Sequence, residues 1–248
     1  MIIIDYNGIA MANILRAATF GTEVTEDLIR HMILNTIRMY RKRFKNDYGE
    51  VVLACDAGGQ WRKKYFKEYK GNRKKTRNQM DVDWKFLYKS LNQMLDELKE
   101  YFPYRIVAIE NIEADDIIAE LCAYTQHFGQ YEDIMIVSSD KDFVQLQKYK
   151  NVNQFSPITK KFIKEEDPHW YLIEHVFRGD SGDGVPNVLS DDDTFMVDNK
   201  KQATLTKKKI EMWAEADNLR EAMGDEYYRN YLRNKMMIDL TQIPEKYK

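Results

Sequence analysis

Three short apolar runs in this sequence end in an aspartate: Asp5 directly follows Ile4, Asp56 directly follows Cys55, and Asp140 follows Val137 after two serines. A fourth run, Ile106 to Ile109, leads into Glu113, Asp115 and Asp116, while Asp142, Asp180 and Asp183 stand in turns farther on. The carboxyl ends of the strands in an open parallel sheet share one edge, where ligands bind, so these residues converge although they are far apart in sequence. Singly, each has an ordinary explanation. Glu113 to Asp116 favours a helix N-terminus electrostatically, and Gly179 to Gly184 makes a turn. Nine carboxylates on one edge, however, repel one another strongly unless cations sit among them. Oxygen donors without a histidine or cysteine partner suit Mg²⁺, with Mn²⁺ as its substitute. His31, His127, His169 and His175 show no metal-binding spacing. Two such ions ~4 Å apart hold an attacking water and the leaving oxygen of a phosphodiester in line, with no protein nucleophile needed.

The opposite charge is concentrated elsewhere. Between Trp61 and Arg77 nine Lys or Arg residues face Glu68 alone, a local charge of +8 in a chain whose net charge is −2. Trp61, Tyr65, Phe66 and Tyr69 are interleaved with them. Cations hold phosphates while rings stack on bases, so the segment points to nucleic acid rather than to a merely solvated face. With mutual repulsion and few large aliphatic residues, it is expected to be mobile without substrate.

The elements that must position these residues are legible in outline. Short branched runs alternate with longer helical patterns, as in a parallel sheet wrapped by helices. The strand candidates are Ile2 to Ile4, Val51 to Cys55, Ile106 to Ile109 and Ile134 to Val137. Helical spacing runs from Glu26 to Phe44, Trp84 to Tyr101 and Glu113 to His127, and a further helix begins at Tyr171. The expected fold is α/β, with a nuclease-type domain over 1–178 and a helical appendage over 179–248. The appendage carries helical patterns at Lys207 to Met223 and Asp225 to Met237, after a long loop from Leu189 to Thr206 that is expected to be mobile. At 248 residues, with 44% hydrophobic residues, the chain is globular and not collagen-like, mucin-like or wholly disordered. Cys55 and Cys122 are too few for a disulfide framework or a cysteine zinc site, which points to a reducing compartment. No apolar run approaches a bilayer span and the first residues lack a basic leader, so neither anchor nor signal peptide is expected. The expected location is the cytoplasm.

Ile4-Asp5-Tyr6-Asn7, Cys55-Asp56, Tyr69-Lys70-Gly71-Asn72-Arg73, Glu113-Ala114-Asp115-Asp116, Ser139-Asp140-Lys141-Asp142 and Gly179-Asp180-Ser181-Gly182-Asp183 occur in this order. Together they resemble the 5′-nuclease superfamily of flap endonucleases, in particular its phage branch, with a PIN-like α/β fold. The resemblance implies a first metal cluster from Asp5, Asp56, Glu113, Asp115 and Asp140, and a second from Asp116, Asp142, Asp180 and Asp183, partly through water. It implies two Mg²⁺ ions hydrolysing phosphodiesters near 5′ ends. The stretch 61–98 would then be an arch or gateway for a single strand, with Lys70 and Arg73 as the catalytic cations on the scissile phosphate. Tyr69 would be a stacking ring and Arg62 a further phosphate contact. Implied partners are DNA and RNA/DNA hybrids with 5′ ends or flaps, with single-strand-binding or clamp proteins in replication. A monomer in the cytoplasm of a phage-infected host is implied.

Two departures bear on this resemblance. Lys141 replaces the glycine usual between the paired aspartates, and its side chain is expected to point away. After Asp183 the Gly-Ile-Gly signature of the family's duplex-gripping helix-two-turn-helix is absent, so phosphates fall to Lys200, Lys201, Lys207, Lys208 and Lys209, as a modified form of that motif. The longer C-terminal helical region of the phage relatives is expected to be missing. Two rivals compete. A haloacid-dehalogenase-type phosphatase needs a second aspartate two residues after Asp5, where Asn7 stands. A catalytically silent nucleic-acid binder would have no use for nine carboxylates near a polyanion.

Overall fold

The computed structural model describes residues 1–80, 82–127 and 131–248; position 81, within the expected 61–98 gateway, lies outside them. Six strands form one sheet: β1 (Ile2–Asp5), β2 (Val51–Asp56), β3 (Arg105–Ile109), β4 (Ile134–Val137), β5 (Val152–Ser156) and β6 (Lys161–Ile163). They lie in the order β3-β2-β1-β4-β5-β6, the first five parallel and β6 antiparallel to β5. β1 and β4 are buried along their whole length. This is why both read as unbroken apolar runs rather than as alternation.

The helices are α1 (Tyr6–Thr19), α2 (Glu26–Tyr48), α3 (Arg73–Asn78), α4 (Trp84–Tyr101), α5 (Ala114–His127), α6 (Pro168–Arg178), α7 (Lys207–Ala214), α8 (Leu219–Met223) and α9 (Asp225–Ile238). The α/β class is as expected, with four additions, of which α3 is a short helix inside the basic segment. Helix α1 escaped the sequence pattern because it follows β1 without a linker: Asp5 is both the last residue of the strand and the cap of the helix. Strands β5 and β6 escaped it too, since β5 buries the polar Gln154 and β6 has only three residues. The single pattern from Lys207 to Met223 is two helices, α7 and α8.

The chain packs as two compact units, Met1–Gly59 with Val82–Glu166, and Gln60–Asp81 with Asp167–Lys248. This differs from the expected division at 178/179. The basic segment belongs with the C-terminal residues, because Phe66 and Tyr69 bury themselves with Val176, Val185, Met237 and Ile238. In the first unit Ile29, Ile33, Ile37, Tyr40 and Phe44 of α2 pack with the strands and with Leu87, Leu91 and Leu98 of α4. Phe155 closes that core, its ring 5.4 Å from Phe44 and 5.8 Å from Tyr40. In the second unit Phe177, Val188, Ile210, Trp213 and Met223 form a further cluster. Among the described residues no helix is long and apolar enough to cross a membrane.

The second unit is tied together by a polar residue at its centre. Asn234 of α9 is fully buried, and its side-chain amide donates to the carbonyls of Val176 and Pro186, both at 2.9 Å. Asn234→Ala removes the donor to the Val176 carbonyl and leaves Pro186 O to Arg233 alone, and is expected to cost about 1 to 3 kcal/mol. Urea unfolding of the full chain measures this; a loss under about 0.5 kcal/mol would show that α9 is held by its apolar face alone.

Candidate metal centre and basic segment

In the first unit the strand ends deliver carboxylates, and each carboxylate also starts a helix. Asp5 closes β1 and caps α1: its Oδ1 accepts from Gly8 N at 2.9 Å and its Oδ2 from Ser138 Oγ at 3.0 Å. Asp56 closes β2 and its Oδ1 accepts from Ala114 N at 2.8 Å, at the first turn of α5. Glu113, beyond β3, is buried, and its backbone N–H donates to Asp116 Oδ2 at 3.2 Å, one of the two bonds of a capping box. Asp140, beyond β4, accepts from Asp142 N at 2.9 Å and opens a 3₁₀ helix over Lys141–Lys148. Unpaired N–H groups at a helix start carry partial positive charge, so this arrangement is what lets carboxylates crowd one edge of a sheet.

The crowding still has a cost. Asp5 is 8% exposed. Burial pushes its carboxyl up to about 6, and repulsion from Asp56 and Asp140 adds to this against the hydrogen bonds from Gly8 and Ser138. Its neighbours in space are therefore Asp56 and Asp140, and Glu113 is joined to Asp56 through the start of α5. Asp115 and Asp142 are half-buried; Asp116 is buried with one oxygen turned back onto its own helix. An oxygen-only donor set around a buried carboxyl repelled by its neighbours fits a hard divalent cation. Such an ion would be held by Asp5, Asp56, Glu113 and Asp140.

Several residues that build this edge had no role assigned from the sequence. Asn7 Oδ1 accepts from Asp56 N at 3.0 Å and so ties the ends of β1 and β2 together. Ser138 Oγ also accepts from Asp140 N at 3.2 Å, linking the Asp5 carboxylate to the Asp140 backbone through one hydroxyl. Buried Gln154 of β5 donates to the carbonyls of Ser138 and Asp140 at 3.1 and 2.6 Å. Gly8 leaves room for the Asp5 carboxylate, since a Cβ there would lie 2.2 Å from Asp5 Oδ2. The glycine four residues into an apolar-to-helical junction was the one available signal.

In the second unit the turn Tyr69–Arg73 is stitched onto the loop Asp180–Gly184. Lys70 N donates to Asp183 O at 2.7 Å, Asn72 Nδ2 to Ser181 O at 2.7 Å and Arg73 Nε to Gly182 O at 3.3 Å. Asp183 receives the Tyr69 hydroxyl at 2.8 Å, the Lys70 ammonium at 3.5 Å and the Arg73 guanidinium. Asp180 accepts from Asp183 N at 3.1 Å and lies 3.5 Å from His175 Nε2. Burial works to raise the Asp180 carboxyl, but the bonds from His175 and the loop backbone outweigh it and hold it below the usual range.

These positions correct several expectations. Tyr69 is 2% exposed, so its ring is a core anchor with no face open to a base. Arg62 is equally buried: its Nε donates to Met237 O at 2.9 Å and its guanidinium lies 4.5 Å from the Trp61 ring, so it is a packing residue and not a phosphate contact. Aromatic burial, which the count of aliphatic residues overlooked, docks the segment expected to be mobile. Lys200 is engaged by Asp191 at 2.7 Å and by Asp193, and Lys209 sits over the rings of Trp213 and Tyr227. Lys207 lies 3.9 Å from Glu211, while Lys201 and Lys208 are exposed. The loop from Leu189 to Thr206 is likewise fastened, by Asn187 to Gln202 and Ala203 and by Asp192 to Arg229 and Arg233. Lys141 is exposed.

Comparison with known proteins gives a consistent result. The family model described as "5'-3' exonuclease, N-terminal resolvase-like domain" matches residues 5–173. The chain is 33% identical to the Ribonuclease H of Enterobacteria phage T4, over 98% of its own length and 82% of that protein's. It is 29% identical to a 5'-3' exonuclease of Buchnera aphidicola, over 63% of its length and 53% of that protein's. Among solved structures it is similar in fold to the phage T5 D15 protein co-crystallised with metal ions, with a TM-score of 0.69, 18% identity and coverage of 96% and 88% of the two chains. A complex of the T5 D15 flap endonuclease with DNA and metal ions matches equally, at 0.69 and 19% identity over 96% of this chain and 88% of that one.

Two outcomes are expected from the carboxylate edge. Asp5 binds its proton more tightly in the folded chain than in the unfolded one, where its ordinary value is 3.8 against about 6 folded. Its stabilising contribution is thus complete below about pH 4 and is lost as the pH rises through about 6, a change of roughly 3 kcal/mol. In EDTA, the stability of wild type relative to Asp5→Asn should fall by that amount between pH 4 and 7, and saturating divalent ion should remove the difference; parallel profiles in urea titrations would contradict it. Separately, Gly8→Ala should weaken Mn²⁺ binding at least ~10-fold by calorimetry while the helix gains up to about 1 kcal/mol in propensity. Unchanged affinity would mean that Asp5 takes no part in holding the ion.

Proposed function

We infer function from the premise that this chain belongs to the 5′–3′ exonuclease family: it is a metal-dependent 5′-nuclease that hydrolyses phosphodiesters. The observation that carries the reading is the set Asp5, Asp56, Glu113 and Asp140 at the ends of four adjacent strands, with the Asp5 carboxyl raised by burial and further by its like-charged neighbours Asp56 and Asp140. Divalent ions bound by such a set supply positive charge for the developing phosphorane and lower the pKa of an attacking water. We propose two Mg²⁺ ions, Mn²⁺ substituting, the first held by Asp5, Asp56, Glu113, Asp115 and Asp140. For a second ion, motif order supports Asp116 and Asp142.

The chain's own residues do the rest. Gly8 and Ser138 hold the Asp5 carboxylate by both oxygens, so its orientation is set before anything binds. Asn7, the residue that a dehalogenase-type phosphatase would need as an acid, is spent on the Asp56 backbone, which argues against that rival. Lys70 and Arg73 hold the substrate phosphate; exposed Lys201 and Lys208 are available for flanking phosphates. The proposed substrates are DNA and RNA/DNA hybrids with 5′ ends or flaps, such as RNA primers in replication. The relative named Ribonuclease H and the flap endonuclease structure support this choice. The proposed setting is a monomer in the cytoplasm of a phage-infected cell, recruited by single-strand-binding or clamp proteins.

The test uses end-labelled flap, nicked and hybrid substrates. With Mg²⁺ the protein should release short 5′ products, and EDTA should abolish release. Asp140→Asn should lower turnover at least ~100-fold while changing substrate affinity in EDTA by no more than a few-fold, because a lost ligand removes charge stabilisation needed only in the transition state. Near-normal turnover would remove Asp140 from the centre. Rapid hydrolysis of a small phosphomonoester in the same tube would favour the phosphatase.

A further inference from the structure

We propose that Asp183 is a positioning residue that anchors Lys70 and Arg73, and not a metal ligand; this rests on the reading that those two cations hold the substrate phosphate. The sequence places Asp183 in a motif of paired aspartates, which would group it with the ion-binding set. Its surroundings in the second unit are of another kind. One oxygen takes the Tyr69 hydroxyl at 2.8 Å, the other takes the Arg73 guanidinium, and the Lys70 ammonium lies 3.5 Å away. The side chain is 15% exposed and that of Lys70 is 10% exposed, so these charges are poorly screened. Two cations already pair with this carboxylate, and a divalent ion could bind it only by displacing them.

The backbone shows that the contact is built in. Lys70 adopts φ of 56°, a left-handed conformation that a side chain adopts only at a cost, and its N–H is fixed to the carbonyl of Asp183 itself. Gly184, at φ of 72°, brings the loop so close that a Cβ there would lie 3.1 Å from Asn72 Oδ1 and 3.2 Å from Glu68 O. Tyr69 is buried with Phe66, Val185 and Met237, which aims its hydroxyl at Asp183 from a rigid base. A carboxylate so arranged fixes two long, rotamer-rich cations in one place ahead of binding. An incoming phosphate then meets an ordered pair, and Arg73, 44% exposed, is the half of the pair open to it.

The test separates an anchor from a ligand. Mn²⁺ binding by calorimetry should give Asp183→Asn the wild-type number of ions with affinity within about 3-fold, whereas Asp140→Asn should lose an ion. In EDTA, Asp183→Asn should weaken binding of a 5′-phosphorylated single-stranded oligonucleotide about 10-fold, and Arg73→Ala by a similar factor. The double variant should be little worse than either, because the two changes remove one interaction. Tyr69→Phe, which keeps the ring in the core, should shift affinity in the same direction by a smaller factor and raise KM more than it lowers kcat. Loss of an ion in Asp183→Asn, or multiplicative losses in the double variant, overturns the proposal. Neither ion count nor oligonucleotide affinity depends on turnover. A wild type that binds both but cleaves nothing would therefore sink the nuclease reading and leave the anchor standing.

Discussion

The first unit depends on one carboxylate at the junction of a strand and a helix. Asp5 ends β1, starts α1 and is nearly out of contact with water, beside Asp56 and Asp140. A lone buried anion is costly, and two like charges nearby add to that cost. What makes the arrangement tolerable is that each acid finds N–H groups at a helix start: Gly8 for Asp5, Ala114 for Asp56, Asp142 for Asp140. These donors lower the cost without cancelling it, since the Asp5 carboxyl still rests at about 6. On the proposed reading, the residual that lowers stability in the absence of a divalent cation would give the site its affinity for one.

The second unit solves the opposite problem, an excess of cations. Several are withdrawn from solvent by use within the unit. Arg62 lies against Trp61 and donates to a carbonyl, Arg233 donates to Pro186 O and pairs with Asp192, and Lys200 pairs with Asp191 and Asp193. Burial lowers the Arg233 guanidinium from its ordinary value even against the pairing with Asp192, which shows how far inside it lies. Aromatic side chains make this possible, because Trp61, Phe66 and Tyr69 supply large apolar surfaces at low conformational cost. Within the segment of local charge +8 the cations likewise divide: Arg62 serves the packing of the unit, Lys70 and Arg73 pair with Asp183, and Lys63, Lys64, Lys67 and Lys74 are exposed.

The strand candidates, the helices α2, α4 and α5, and the carboxylates at the strand ends could be read from the sequence, because burial on both faces and 3.6-residue periodicity leave strong patterns. The ordered motifs added the family, since their order along the chain is itself sequence information. Other features were illegible for definite reasons. Helix α1 begins where β1 ends, and its start is set by a side-chain cap rather than by a change of composition. Tyr69 and Arg62 read as ligand-facing residues because an aromatic or a cation looks the same in sequence whether it faces solvent or core. Their burial is decided by Val176, Val185 and Met237, more than a hundred positions away. Likewise the roles of Asn7, Gly8, Ser138 and Gln154 were not legible in the sequence, since each holds or makes room for another residue's oxygen or backbone. Residue type and spacing thus determined which chemical groups the chain carries and which strand ends bring them to one edge. Only the tertiary structure decided which of those groups are spent on one another, because hydrogen bonds and ion pairs are settled by distances of a few ångströms between residues far apart in the chain.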